Sequence, residues 1–152
     1  MHCLKSAFAL AAAISCIASL AAAAEPITIV CGESAGQTYW LQSKDGWTKD
    51  GVAGGNVLLS RDSKGEWDVI YVTKLNKFSA KGDGARVGLL HSVDPLLSGS
   101  ATIVAFYPLG TVEVFHLVGN GRSVEMATSV AKPMTATAPA RSSLFVSKCT
   151  VR

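Results

Sequence analysis

The sequence predicts an all-β chain: a single antiparallel β-barrel or barrel-like sandwich of about eight strands. Three observations carry this expectation. Apolar and polar residues alternate with a period of two along most of the chain, the spacing that turns one face of a strand to a core. Clusters of Gly, Asp, Asn and Ser interrupt the alternation at short intervals, as antiparallel neighbours require. No segment between them carries an amphipathic helical period, and Cys31 and Cys149 stand near the two ends of the patterned region, placed to tie its first and last strands.

The first residues are read as a targeting signal. Lys5 supplies a positive start, an apolar run follows from Ala7, and Ala22-Ala23-Ala24 offers the small residues that a signal peptidase needs before Glu25-Pro26. A membrane span needs about 18 apolar residues. This run is Ala-rich, weakly hydrophobic and not followed by basic residues, so the expectation is a signal peptide over 1–24 and one β domain over 25–152. No transmembrane segment is expected after signal removal. Ala13-Ile14-Ser15-Cys16 loosely matches a lipoprotein cleavage site, which leaves lipid anchoring through Cys16 as the alternative to a periplasmic or secreted product.

The elements then follow in order. Ile27-Thr28-Ile29-Val30-Cys31 is a strand with Ile27, Ile29 and Cys31 on one face, and residues 37–42 are a second. Residues 56–61 follow the Gly54-Gly55 pair. The Asp62-Ser63-Lys64-Gly65 turn leads into residues 66–73, where Trp67, Val69 and Tyr71 share a face. Residues 78–81 stop at Gly82-Asp83-Gly84, and residues 86–91 resume. Residues 101–107 turn at Pro108-Leu109-Gly110 and return over 111–118, where Val112 and Val114 share one face and Glu113 points the other way. Asn120-Gly121 signals a type I′ turn into residues 123–130. A linker rich in Ala, Thr and Pro covers 131–141, and residues 143–150 end the pattern with Cys149.

Composition excludes several functions. Without its first 24 residues the chain keeps 13 Lys and Arg against 11 Asp and Glu, a net charge of +2 with no basic block. Binding to nucleic acid or to an anionic membrane needs clustered cations, so neither is expected. Cys31 and Cys149, an even pair in an exported chain, read as a disulfide, and their spacing lacks the C-x-x-C of a redox pair.

Catalytic signals are missing. His91 adjoins the Ser92-Val93-Asp94-Pro95 turn, and His116 continues the register of Val112, Val114 and Val118 as a core or rim residue. Neither accompanies a nucleophile elbow. Asp68 and Glu113 lie on strands, whereas Asp45, Asp50, Asp62 and Asp83 occupy turn sequences. No zinc or calcium framework and no phosphate-binding loop is present, so no metal, cofactor or enzymatic activity is expected. Gly65-Glu66-Trp67 spells the lipocalin G-x-W signature, but it follows several strands where that family places it at the first.

The aromatic residues are the remaining candidates. Tyr39 and Trp40 are adjacent and must face opposite ways on a strand. Trp47 stands in a polar stretch, either as an anchor for a small molecule, glycan or protein or as a plug over the barrel end. The expectation is a non-catalytic binding domain with Tyr39, Trp40 and Trp47 in its site.

The blocks C-G-E-S-A-G-Q-T-Y-W-L, D-G-W-T-K-D-G-V-A-G-G, W-D-V-I-Y-V and K-G-D-G-A resemble a set of small exported bacterial proteins with a cysteine near each end. The resemblance covers most of the mature chain, implies export and a single domain, and brings no catalytic residue. Ser34-Ala35-Gly36-Gln37-Thr38-Tyr39 and Lys81-Gly82-Asp83 resemble loop pieces of the periplasmic c-type lysozyme inhibitors, which are eight-stranded barrels. That resemblance implies the alternative function, inhibition of a cell-wall hydrolase.

Overall fold

The computed structural model describes residues 24–41, 43–93, 99–136 and 138–152. The signal segment through residue 23 with Cys16, the strand end expected at Gln42 and the Asp94-Pro95 turn lie outside the described residues.

Ten strands follow one another among the described residues: β1 (Ile27–Trp40), β2 (Trp47–Val52), β3 (Asn56–Arg61), β4 (Trp67–Val72), β5 (Lys77–Ser79), β6 (Arg86–Val93), β7 (Ser100–Phe106), β8 (Val112–Gly119), β9 (Val124–Lys132) and β10 (Arg141–Val151). All pairings are antiparallel, in the order β5-β4-β3-β1-β10-β9-β8-β7-β6, with β2 on the rest of β1. The sheet curls strongly into a barrel-like fold, as the alternation predicts. β4 and β6 come side by side without a ladder, so the curl stays open along that seam.

Each turn has a local cause. Asp62 Oδ1 accepts the N–H groups of Glu66 and Lys64, and Gly65 adopts a φ of +82° that closes the β3–β4 hairpin. In the β8–β9 turn Gly121, not Asn120, is the first central residue, with φ +82°, and the N–H of Asn120 reaches Ser123 O. The expected Asn-Gly pair is therefore not the centre of the turn: glycine takes the first central position, where both primed turn types need positive φ. Asn120 Oδ1 instead accepts the N–H groups of Arg122 and Ser123.

The concave face holds the core. Ile29, Leu59, Val69, Ile103, Phe115 and Leu117 are fully buried there, each contributing about 1.5–3 kcal/mol by removal from water. The expected disulfide joins Cys31 to Cys149, direct register partners on β1 and β10 with Cα atoms 4.0 Å apart.

Several expectations need correction. The strand expected over 27–31 and the one begun at 37 are a single long β1, bulged between Cys31 and Ser34. Trp47 lies on β2, a strand, and not in a loop. β2 and β3 together form one interrupted strand along β1, jogged at residues 53–55 opposite the bulge, where Glu33 Oε1 accepts the N–H of Gly54 at 2.7 Å. The linker is shorter than expected, because β9 continues through Lys132 and β10 starts at Arg141. His116 is exposed on the outer face, its Nδ1 2.9 Å from Thr102 Oγ1, while Glu113, opposite to Val112 and Val114 as expected, faces inward with Phe115 and Leu117.

Candidate ligand cavity

The curl forms a half-open cavity of about 290 Å³ on the concave face, where β1, β2, β8, β9 and β10 meet the ends of β3 and β4. An ordered water takes about 30 Å³, so this space suits a molecule of roughly ten or more heavy atoms. Phe115, Met126 and Phe145 give it an apolar wall, and polar side chains cluster around them.

Glu113 is the focus of those polar groups. It is 8% exposed, and its Oε2 accepts the phenolic hydroxyls of both Tyr71 and Tyr107, the latter at 2.9 Å. Tyr71 comes from β4 and Tyr107 from the turn just after β7, so the bonds span the inside of the curl. Both phenols are pushed above the ordinary tyrosine range, first by burial and then by the neighbouring Glu113 charge. Among the described residues no hydrogen bond reaches Glu113 Oε1. A second cavity of about 580 Å³, lined by Tyr107, Pro108 and Leu109, shares Tyr71, Glu113 and Lys132 with the first.

Behind the cavity lining, Thr38 is fully buried and donates its hydroxyl to Asp50 Oδ2 at 2.6 Å. Ser143 Oγ lies 2.6 Å from the same Thr38 oxygen, and because Thr38 has spent its proton on Asp50, Ser143 is the donor. Asp50 is held below the usual carboxylate range, chiefly by the Thr38 hydroxyl, then by the N–H of Gly51, with Arg141 adding to these against some desolvation. Deeper on β10, Ser147 is 4% exposed, lines the cavity, and its Oγ is the one buried side-chain polar atom without a partner among the described residues. A buried hydroxyl left unbonded costs on the order of 1–3 kcal/mol.

The aromatic candidates are divided between the two faces. Tyr39 and Trp47 are direct partners on the outer face, ring centroids 5.5 Å apart and tilted by 55°, and Trp47 is 57% exposed. Trp40 faces the other way, beneath the guanidinium of Arg141 at 4.9 Å, and Arg141 lines the cavity. Ser34 and Tyr39 lie on β1, paired on both sides, while Lys81 forms an ion pair with Glu66 at 2.7 Å in the turn after β5. Among the described residues no three His, Cys, Asp or Glu side chains converge as metal ligands, and no helix is long and apolar enough to cross a membrane.

Sequence reasoning weighed Glu113 only as a strand carboxylate and missed Ser143, Ser147 and Arg141. The inward period Glu113, Phe115, Leu117 was the available signal for the first; nothing in the sequence marks the serines. Comparison with protein-family models, with curated proteins and with solved structures finds no match to this chain.

Proposed function

We propose that this chain is an exported, non-catalytic binding domain that seats a small amphipathic molecule in its concave cavity. Export rests on the signal-like first 24 residues and agrees with the Cys31–Cys149 disulfide, since such bonds persist in oxidising compartments. The observation that carries the binding reading is a ligand-sized cavity walled by Phe115, Met126 and Phe145, with buried Glu113 and its two phenol partners converging on it. Largely apolar cavities with a few convergent polar groups are the usual form of small-molecule sites. A ligand-observed NMR screen of small metabolites tests the proposal: hits are expected with wild-type protein, to weaken in Glu113→Gln, and to persist in Trp47→Ala. Hits lost only in Trp47→Ala would move the site to the outer face.

The exposed, mutually packed Tyr39 and Trp47 favour a second reading, in which the outer face contacts a glycan or a protein such as a cell-wall hydrolase. One-to-one association with a c-type lysozyme, abolished by Trp47→Ala, would support it over the cavity.

A further inference from the structure

The charged groups around the cavity narrow its occupant, an inference that rests on the concave-cavity reading above. Lys132 and Arg141 are direct register partners on β9 and β10, and both line the cavity. Like charges placed directly opposite on adjacent strands repel. Among the described residues neither cation forms an ion pair, and no side-chain hydrogen bond from either is present. Stacking on Trp40 fixes the guanidinium, so its planar fork stays presented rather than folding away into solvent. Asp50, whose carboxylate Arg141 helps to hold ionised, lies on the same cavity but within ion-pair distance of neither cation, so a carboxylate between the two would relieve their repulsion and accept charge-assisted hydrogen bonds from both.

An inorganic anion would leave the rest of the cavity unused. Inward residues Arg141, Ser143 and Phe145 run along one strand, so the site is elongated, about 13 Å between the Arg141 and Phe145 Cα positions at roughly 3.3 Å per residue. Next to the cation pair, Glu113 Oε1 offers an acceptor, and further along lie Phe145 and Phe115. Read along its length, the site asks for an anion, then a hydrogen-bond donor, then apolar bulk.

We propose that the cavity binds a small organic carboxylate with hydrogen-bond donors along its body, of the kind a dipeptide presents. The carboxylate sits between Lys132 and Arg141, an N–H of the body meets Glu113 Oε1, and an apolar side chain packs on Phe115 and Phe145. The alternative sources of the same chemistry, a free peptide and a plain short-chain acid, differ only in the donor that Glu113 would read.

Three probes on wild-type protein separate these elements: glycyl-leucine, its C-terminal amide, and 4-methylpentanoate. Binding is followed by the methyl resonance of Met126, which is buried in the cavity wall. Glycyl-leucine is expected to shift that resonance and to bind roughly tenfold or more tighter than its amide. Glu113→Gln should weaken the dipeptide and leave 4-methylpentanoate unchanged or tighter, and Arg141→Met should erase the difference between acid and amide. Equal binding of acid and amide by wild type overturns the carboxylate assignment, as does a failure of all three probes. If the metabolite screen still finds uncharged molecules that shift Met126, only the ligand class has failed. If nothing shifts Met126, the cavity reading fails with it. The acid–amide comparison uses the unaltered protein, so it stands even where a variant does not fold.

Discussion

Glu113 is a carboxylate buried at 8% exposure that shares one oxygen between two phenols. Removing a donor leaves part of that charge unsatisfied, so Tyr71→Phe should lower stability by about 1–3 kcal/mol in urea unfolding. Because both phenols titrate above the ordinary value of 10.0 in the folded state, the unfolded chain loses its protons first as pH rises. Stability is therefore fully present below about pH 10 and falls above it, and Tyr71→Phe should make that alkaline loss shallower. Thr38 acts at the other end of the pH scale. Asp50 titrates below its usual 3.8, so its contribution is present above that value and is lost as pH falls beneath it. Thr38→Val should cost roughly 1–3 kcal/mol at neutral pH and flatten the acid limb. At these positions the sequence was only half legible. Alternation separates Glu113 from Val112 and Val114, but choosing the core face from two valines selects the outer one. Phe115 and Leu117, in phase with Glu113, mark the true interior.

β1 is the strand on which the architecture turns, because it carries β10 along one edge and β2 then β3 along the other. Close approach there requires glycine. A Cβ on Gly36 would fall on the Leu144 carbonyl and lie 2.8 Å from Phe145 Cα, and backbone has no rotamer by which to yield. Gly36→Ala should therefore cost roughly 3 kcal/mol or more, whereas Gly32→Ala, whose nearest neighbour would be Lys148 O at 3.9 Å, should stay within about 1 kcal/mol; thermal melts of the pair check this. The strands with a clean period of two were readable from sequence. β2 was not: Lys49, Asp50 and Gly51 spell a turn, and they form a strand because β1 offers an open edge there and Asp50 is held by Thr38.

Among the described residues, consecutive strands pair with one another except where β2 passes to β3 along the same edge of β1 and where β5 passes to β6, and β1 returns to β10. The disulfide fixes that return. It closes a loop with a sequence separation of 118, so its reduction should remove about 4–5 kcal/mol in the chain-entropy model, seen as a large loss of urea midpoint in Cys31→Ser/Cys149→Ser. The all-β class and the cysteine pairing were legible because local alternation and two end cysteines encode them. The cavity was not, because it arises from side chains of strands far apart in sequence, such as Tyr71 with Glu113 and Thr38 with Ser143. One spectrum tests whether that cavity is the binding site: protein labelled at methionine methyls and tryptophan indoles, titrated with pooled small amphipathic metabolites. Met126 lines the cavity, while Met134 and Trp47 are exposed outside it. Binding in the concave cavity moves the Met126 methyl and leaves Met134 and Trp47 in place. A titration that moves Trp47 and leaves Met126 unchanged would contradict it.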